Sequence, residues 1–274
     1  MPLTKEQTDR FIDVNGINIH YNEAGSGPAL ICTHGGGPGA NAWDNTRWCF
    51  DQLAEHFRVI LMDMPGFGES QKHVSREGVP MDIFCARLKL GLMDQLGIDR
   101  AHVYGSSAFS PAALRFGIDY PNRVGKIIIQ AFAPGAPHTP TEGLKSLATF
   151  AQNPTRENME AMVGMFIPRE ERRPADFIES RMKMATVPGH LESRREMSMP
   201  SNSDLVPELH KLKTTQTLMV WGDADRMIPV DDVLYGLRNI PNVRAHIWGD
   251  NTGHFVAFEH PDEFARVVID FLTH

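Results

Sequence analysis

A chain of 274 residues, 42% hydrophobic and 22% charged, is long enough for one large domain with a packed core and too apolar to be disordered. The net charge of −7 argues against nucleic acid or an anionic membrane as a partner, but does not exclude a small anionic substrate. The three cysteines have no paired spacing, so we expect them to be reduced and mostly buried, with no metal site. A polar N-terminus and the lack of a long apolar run predict a cytoplasmic protein without a membrane span.

Strands and helices alternate along most of the chain. FIDVNGINIHYNEAG predicts a hairpin about Asn15-Gly16. AHVYG, VGKIIIQAFA, QTLMVWG and VRAHIWG predict strands, ALICTHG predicts a buried strand that ends in a glycine loop, and RVILMDMPGFGES predicts a buried strand followed by a Pro/Gly turn. Helical spacing lies between them, in WDNTRWCFDQLAEHF, DIFCARLKLGLMDQLGI, PAALRFGIDY and PVDDVLYGLRNI, and again in the closing PDEFARVVIDFLTH. This order predicts an α/β fold with a mostly parallel central sheet and helices on both faces.

Residues 137–205 differ from the rest of the chain. They contain no strand run, are rich in helix formers, and hold half of the 14 methionines. We therefore predict a helical cap over 137–205, inserted into a core formed by 1–136 and 206–274. The methionines indicate either an adaptable apolar pocket or an ordinary cap core.

The segment AHVYGSSAFSP, residues 101–111, reads as a strand, a tight turn and a helix, which is where a nucleophilic serine can stand. Such a turn needs a small residue two positions before the nucleophile, and the next residue must offer a backbone N–H. Ser110 is followed by Pro111, which has no N–H. Ser106 has the bulky Tyr104 two positions before it.

Ser107 meets both needs, because Gly105 stands two positions before it and Ala108 follows it. Phe109 stands where a second small residue is expected. Either the turn opens slightly, or the ring finds room by displacing something else, and we expect the latter. The alternative is a plain strand–turn–helix with incidental serines.

A nucleophilic serine needs a base and an acid that orients the base, and in this order of elements the acid precedes the base in the chain. His254 follows a glycine after the last predicted strand, and WGDADR offers Asp223 and Asp225 after an earlier strand. We prefer Asp225, which is further beyond the strand end, and expect Asp223 only to cap the turn. Asp225 would hold the imidazole tautomer of His254.

The glycine-rich loop HGGGPGANAW follows the strand ALICT and can bring backbone N–H groups close to a ligand. We expect the N–H groups of Gly36 and Ala108 to form an oxyanion hole. A phosphate cradle is the rival interpretation, but no Lys-Ser/Thr pair follows the loop, and the spacing is not G-x-G-x-x-G.

HGGGPGA, DMPGFGES, GSS, WGDADR and GHF, in this order and with a helical cap before WGDADR, resemble the α/β-hydrolase superfamily over nearly the whole chain. HGGGPGA followed by Trp43 and Asn45 is similar to the meta-cleavage product hydrolases, which hydrolyse a carbon–carbon bond in ring-fission products of aromatic catabolism. The resemblance implies a 2-hydroxy-6-oxo-hexa-2,4-dienoate substrate, cleaved to a 2-hydroxypentadienoate and a carboxylic acid after the enol becomes a ketone. It implies a Ser107–Asp225–His254 triad, with His254 assisting ketonisation and activating Ser107 or water.

The resemblance also implies residues that bind the substrate. Matching FIESRMKM to the family's cap motif gives Arg181 the role of pairing with the dienoate carboxylate, with Asn45 and Gly35 at the same end of the pocket. A solvated helix charge is the alternative for Arg181, since four other arginines lie close in sequence: Arg172, Arg173, Arg194 and Arg195.

Two departures from the family touch the dienoate half of the pocket. Ser106 stands where an asparagine is usual, and Phe255 where a tryptophan is usual. Phe109 and Ser110 replace a Gly-Gly pair and alter the pocket floor. These changes affect the expected substrate more than the expected reaction, and the methionine-rich cap suggests a bulky, aryl substituent.

Two other functions compete with carbon–carbon hydrolysis. One is an ester or lactone hydrolase on the same triad; a neutral pocket would favour it, whereas a carboxylate anchor at Arg181 favours the dienoate. The other is a ligand-binding protein with a hydrolase fold, supported only by the altered turn at Phe109. We expect no cofactor, a small-molecule substrate and a homo-oligomer.

Overall fold

The structure, a computed structural model, describes residues 2–137 and 140–274. Within these residues, eight strands form one sheet in the order β1-β2-β4-β3-β5-β6-β7-β8. Its strands are β1 Asp9–Val14, β2 Ile17–Ala24, β3 Ala29–Thr33, β4 Arg58–Met62, β5 Ala101–Ser106, β6 Val124–Gln130, β7 Thr217–Gly222 and β8 Val243–Trp248.

The predicted hairpin and the mostly parallel sheet are both confirmed. β1 and β2 pair antiparallel across Asn15 and Gly16, both of which have positive φ, and β2 pairs antiparallel with β4. From β4 to β8 every neighbouring pair is parallel. The carboxyl ends of these strands therefore share one edge of the sheet, where a parallel sheet places its ligand site.

Helices cover both faces of the sheet, as expected. The helices are α1 Lys5–Thr8, α2 Ala42–Ala54, α3 Met81–Gln95, α4 Ser110–Asp119, α5 Glu142–Gln152, α6 Arg156–Phe166, α7 Phe177–Ala185, α8 His190–Ser198, α9 Val233–Asn239, α10 Val256–Glu259 and α11 Pro261–Thr273. α3 and α4 pack on one face, and α2 and α11 pack on the other.

The side chains of β3 show how the sheet is held between two apolar cores. Ile31 belongs to the cluster under α3 and α4, whereas Leu30 and Cys32 belong to the cluster under α2 and α11. All three are almost fully buried, which is the pattern of a central parallel strand. Cys32, Cys49 and Cys85 are free and buried, as expected.

Between β6 and β7 the described chain forms four α-helices, α5 to α8, and no strand. Met159 and Met162 are fully buried in a cluster that also contains Phe166 and Phe177, so these methionines form ordinary core, while Met197 faces a cavity. The division into core and cap at 137 and 205 stays our interpretation. None of the described helices combines the length and apolarity needed to cross a membrane.

Candidate active site

The turn after β5 holds Ser107 in a strained backbone conformation. Ser107 has a φ of 50° and opens a short 3₁₀ turn, Ser107–Phe109, which leads into α4. A Cβ on Gly105 would lie 2.7 Å from the carbonyl oxygen of Phe109 and 2.8 Å from the Cα of Ser110, so only glycine fits there. A positive φ is uncommon for a residue with a side chain and accompanies functional turns. The turn presents the half-buried Ser107 at the carboxyl edge of the sheet.

Phe109 does not open this turn. Its ring is 1% exposed and packs edge-on against His34 and Phe67, with ring centroids 5.2 Å and 5.5 Å apart. The close approach at Gly105 shows that the turn stays tight. Ser110 is fully buried, with its Oγ 2.8 Å from the carbonyl oxygen of Gly105 and 2.9 Å from that of Gln130. Ser110 therefore ties the first turn of α4 to two strands.

His254 and Asp225 meet at the same edge of the sheet. Nδ1 of His254 lies 2.7 Å from Oδ2 of Asp225, and both residues are buried. The other carboxylate oxygen, Oδ1, accepts the backbone N–H groups of Met227 at 2.7 Å and Ile228 at 3.0 Å. An ionised Asp225 can only accept, so Nδ1 of His254 carries a proton, and in the neutral imidazole Nε2 is then the acceptor. Asp223 instead accepts the N–H of Thr252 at 2.8 Å and stays away from His254.

The backbone of His254 is fixed by two residues that sequence analysis missed. The backbone N–H of His254 donates a hydrogen bond to the carbonyl of Phe166 at 2.8 Å. The carbonyl of His254 accepts a hydrogen bond from Nε2 of Gln130 at 2.7 Å. The hydroxyl of Tyr104 donates to Oε1 of Gln130 at 2.7 Å, which sets the orientation of that amide. The sequence did contain a signal for Gln130, because it ends the apolar run VGKIIIQ and a buried amide needs hydrogen-bond partners.

The glycine loop after β3 lies directly against the serine turn. Nε2 of His34 accepts the N–H of Met64 at 3.1 Å, so its Nδ1 donates to the carbonyl of Gly35 at 2.6 Å. Burial lowers the pKa of His34 and keeps the ring neutral. In a trans peptide the next N–H points away from that carbonyl, so the N–H of Gly36 points away from His34. Gly36 adjoins Ala108, since a Cβ on Gly36 would lie 2.7 Å from the Cβ of Ala108.

Gly36→Ala is expected to lower kcat about 10- to 100-fold, because the added methyl forces apart the two backbone segments that carry the candidate oxyanion donors. Gly16→Ala is the control, since a Cβ there meets nothing within 4 Å. It should cost about 1 kcal/mol of stability through its φ of 80° and leave kcat unchanged. Steady-state kinetics and urea denaturation of both variants check this, and a Gly36→Ala enzyme with full activity would contradict the assignment.

A cavity of about 340 Å³ lies over these residues. Gly36, Ser107, Ala108 and His254 form part of its wall. Most of the remaining wall is apolar: Phe67, Met81, Phe109, Phe132, Leu144, Leu147, Phe166, Met197, Met227, Ile228 and Phe255. Arg194, Ser198 and Asn202 add polar groups to the wall. The volume and lining suit a small, largely apolar ligand with a few polar contacts.

The residues expected to bind substrate form two layers: a first layer that lines the cavity, and a second layer that is buried behind the first. Gly35 and Phe255 line the cavity, whereas Ser106 is buried against Gly35 and Asn45 is buried next to Ser106. Nδ2 of Asn45 lies 3.4 Å from Oγ of Ser106, which also accepts Nε2 of Gln130 at 3.3 Å. The structure therefore brings Ser106 and Asn45 together, one residue away from the candidate nucleophile.

Arg181 also lies in the second layer. It is 2% exposed, and its guanidinium carbon stacks over the rings of Phe166 at 4.9 Å, Phe177 at 5.5 Å and Phe255 at 5.7 Å. A Cβ on Gly37 would lie 2.6 Å from one of its terminal nitrogens. Burial lowers the pKa of Arg181 to about 10, so the side chain stays charged at neutral pH, although its Nε has no hydrogen-bond partner.

Glu259 is a buried acid next to this site, and burial raises its pKa to about 7, although the N–H of Gly253 donates to it at 2.7 Å. The folded-state pKa exceeds the unfolded value of 4.5, so the protonated form of Glu259 favours the folded protein. The free energy of unfolding should therefore be highest below pH 4.5 and fall by up to about 3 kcal/mol as the pH rises through 7. Glu259→Gln should abolish this fall while keeping an acceptor for Gly253. Urea unfolding from pH 5 to 8 tests it, with Glu142→Gln, whose side chain is 76% exposed, as the control. Parallel profiles for wild type and Glu259→Gln would contradict it.

One cluster away from the cavity has metal-ligating side chains. The ligand atoms of Asp9, His20 and Glu69 lie within 4.8 Å of one another. The Lys5 ammonium already lies 3.1 Å from Asp9 and 2.6 Å from Glu69, and His20 holds Asp63 at 2.7 Å. These internal partners balance the carboxylates, so we assign no metal to the cluster.

Residues 28–261 match the family model of the alpha/beta hydrolase fold. The chain is an α/β hydrolase. Within that family, the hydrolase is 36% identical to the 2-hydroxy-6-oxo-6-phenylhexa-2,4-dienoate hydrolase of Comamonas testosteroni, over 98% of each chain. It is 35% identical to the 2-hydroxy-6-oxononadienedioate/2-hydroxy-6-oxononatrienedioate hydrolase of Burkholderia vietnamiensis, over 98% of this chain and 97% of that one.

Solved structures agree with these relatives. The hydrolase resembles the meta-cleavage product hydrolase of Pseudomonas fluorescens with a TM-score of 0.84 and 26% identity, over 97% of this chain and 98% of that chain. The resemblance noted in the sequence motifs is therefore confirmed, and the hydrolase belongs with the meta-cleavage product hydrolases.

Proposed function

We propose that the protein hydrolyses a carbon–carbon bond in a 2-hydroxy-6-oxo-hexa-2,4-dienoate, a product of meta ring fission of an aromatic compound. The observation that carries this proposal is the cavity that Ser107, His254, Gly36 and Ala108 all line, in a chain 35% and 36% identical to two dienoate hydrolases. One of these relatives is named for a phenyl-substituted substrate and the other for a dicarboxylate. Both names support the reaction, but they do not decide which substituent the ketone carries.

The first step converts the dienol to its keto tautomer. The 2-hydroxyl proton is removed and C5 gains a proton, and His254 assists through Nε2. Ser107 then attacks the C6 ketone, and its proton passes to Nε2 of His254. Asp225 stabilises the resulting imidazolium across the 2.7 Å contact with Nδ1. The negative charge on the C6 oxygen is stabilised by the N–H groups of Gly36 and Ala108.

The second step breaks the C5–C6 bond. The electron pair moves into the conjugated system of the leaving group, which takes the proton from His254 and departs as 2-hydroxypentadienoate. The acyl group stays on Ser107. Water, deprotonated by His254, releases it as a carboxylic acid and restores the serine. In the variant of this route that the sequence leaves open, His254 activates water directly, and no acyl-serine forms.

In this proposal the dienoate carboxylate binds Arg181, whose buried, unpartnered Nε supports an anion partner. Phe166, Phe255 and Gly37 line the cavity and also contact the guanidinium, so a carboxylate would reach Arg181 by displacing one aromatic ring.

Asn45 and Ser106 would steady the 2-oxo end of the diene from behind Gly35. Phe255 would stack on the diene without the N–H of a tryptophan. The mostly apolar wall would surround the substituent on the ketone.

A second candidate function is hydrolysis of an ester or lactone by the same residues, because the oxyanion and acyl-serine chemistry is shared. A ligand-binding protein without turnover is a third, and the tight turn at Ser107 argues against it. The cytoplasmic location and homo-oligomeric assembly stay predictions.

The deciding experiment mixes the purified protein with phenyl- and methyl-substituted dienoates. Loss of the visible absorbance band is followed while the acid product is quantified by chromatography. Release of benzoate or acetate together with 2-hydroxypentadienoate supports the proposal. No release, alongside turnover of a simple aryl ester, would favour the second candidate instead.

A further inference from the structure

Arg194 is a cation on the cavity wall with no role in the proposed chemistry. It lies on α8, is half-buried, and lines the cavity together with Met197 and Ser198 from the same helix. Its Nε donates to the carbonyl of Gly36 at 2.7 Å. This bond anchors the guanidinium beside the glycine loop, next to the place where the C6 oxygen would bind.

The charge of Arg194 is not balanced by a neighbouring acid. Within residues 2–137 and 140–274, no carboxylate oxygen lies within 4.0 Å of its guanidinium nitrogens. Burial lowers the pKa of Arg194, and the charge of Arg194 in turn helps to lower the pKa of Arg181, so two like charges influence each other here. A partly buried charge without a partner costs free energy unless a ligand supplies the opposite charge.

Two arginines therefore approach two consecutive residues of one loop. Arg181 lies against Gly37 and the aromatic rings, and Arg194 lies against the carbonyl of Gly36. The single carboxylate of the dienoate can neutralise only one of these two arginines. The remaining cation faces the cavity, where the other described lining residues include the base His254 but no acid.

We propose that Arg194 binds a second carboxylate, carried by the substituent on the C6 ketone, and so selects dicarboxylate ring-fission products. This inference rests on the proposed function and names its substrate class. It replaces the aryl substituent that the methionine-rich cap suggested.

The reach of the side chain fits a short acidic arm. A carboxylate separated from the ketone by two methylene groups lies three carbon–carbon bonds away, each about 1.5 Å long, so it extends about 4 Å from C6. The terminal nitrogens of Arg194 lie beyond Nε, which is 2.7 Å from the carbonyl of Gly36, the residue whose N–H would hold the C6 oxygen. Ser198 and Asn202 are further polar groups on the cavity wall.

The test compares three dienoates whose ketone carries a 2-carboxyethyl, an n-propyl or a phenyl group. The first two have the same chain length and differ by the carboxylate. Wild type and Arg194→Met are measured on each, because methionine keeps much of the stem and removes the charge. Arg194→Lys retains the charge and loses the planar guanidinium.

Arg194→Met is expected to lower kcat/KM for the carboxyethyl substrate about 10- to 100-fold more than for the propyl substrate. Arg194→Lys should recover most of that difference. An equal loss of kcat/KM on all three substrates would overturn the inference, because Arg194 would then act only by holding the carbonyl of Gly36 or by binding the dienoate carboxylate. If wild type cleaves the propyl or phenyl substrate but Arg194→Met shows no selective loss, this inference alone fails. If wild type cleaves none of the three, the proposed function fails with it.

Discussion

Ser107→Ala is expected to lower kcat for release of the carboxylic acid by at least about 10³-fold. The variant keeps the Cβ that fits the tight turn and removes the only oxygen that Ser107 offers to the C6 ketone. His254 and Asp225 stay in contact, so ketonisation of the dienol should persist. Stopped-flow absorbance should therefore show a spectral change, while chromatography finds almost no acid.

Ser110→Ala is the matched control, three residues further along the same segment. It removes a hydroxyl that bonds the carbonyls of Gly105 and Gln130, so it should cost about 1–2 kcal/mol of stability. Its kcat should stay within a few-fold of wild type. Acid release by Ser107→Ala at close to the wild-type rate would show that His254 activates water and that no acyl-serine is needed.

The parts of the fold that sequence predicts well are those fixed by local patterns. The apolar runs ALICT and RVILM become β3 and β4 because a strand covered on both faces must be apolar throughout. The hairpin follows from Asn15 and Gly16, which tolerate positive φ. Gly105 and Pro111 limit which serine can occupy the turn, since one removes a steric clash and the other removes an N–H donor.

The parts that sequence does not predict depend on contacts between distant segments. Gln130 and Phe166 hold the backbone of His254 from elements more than 80 residues earlier in the chain. Sequence motifs drew attention to Arg181, but Arg181 is covered by aromatic rings from α6, α7 and the loop before α10, and it is Arg194 that lines the cavity. Which arginine of a helical cap faces inward depends on how the cap helices pack, and five arginines close in sequence share the same local signal.

Phe109 illustrates a different limit. Its position after Ser107 suggested a clash within the turn, yet the ring leaves the turn and fills a space between His34 and Phe67. That space exists only because two other loops meet there. The same ring braces His34, whose Nδ1 orients the Gly35–Gly36 peptide, so the departure from the usual glycine supports the candidate oxyanion loop.

Asp225→Asn is expected to lower kcat about 10³- to 10⁴-fold with little loss of stability. Oδ1 of Asp225 accepts two backbone N–H groups, from Met227 and Ile228, so the oxygen of asparagine must occupy that position. Its amide nitrogen then faces Nδ1 of His254 and can only donate to it. The imidazole is forced into the tautomer protonated on Nε2, which cannot accept the proton of Ser107.

The pH profile adds an independent readout for this variant. Because the asparagine amide cannot stabilise the imidazolium, the activity that remains should rise with pH as hydroxide replaces the missing base. Asp223→Asn is the control, since Asp223 accepts the N–H of Thr252 at 2.8 Å and an asparagine oxygen can do the same. Its kcat should stay within a few-fold of wild type. Equal losses from Asp223→Asn and Asp225→Asn would mean that the loop after β7 acts through its shape, and that the contact with His254 does not set the tautomer.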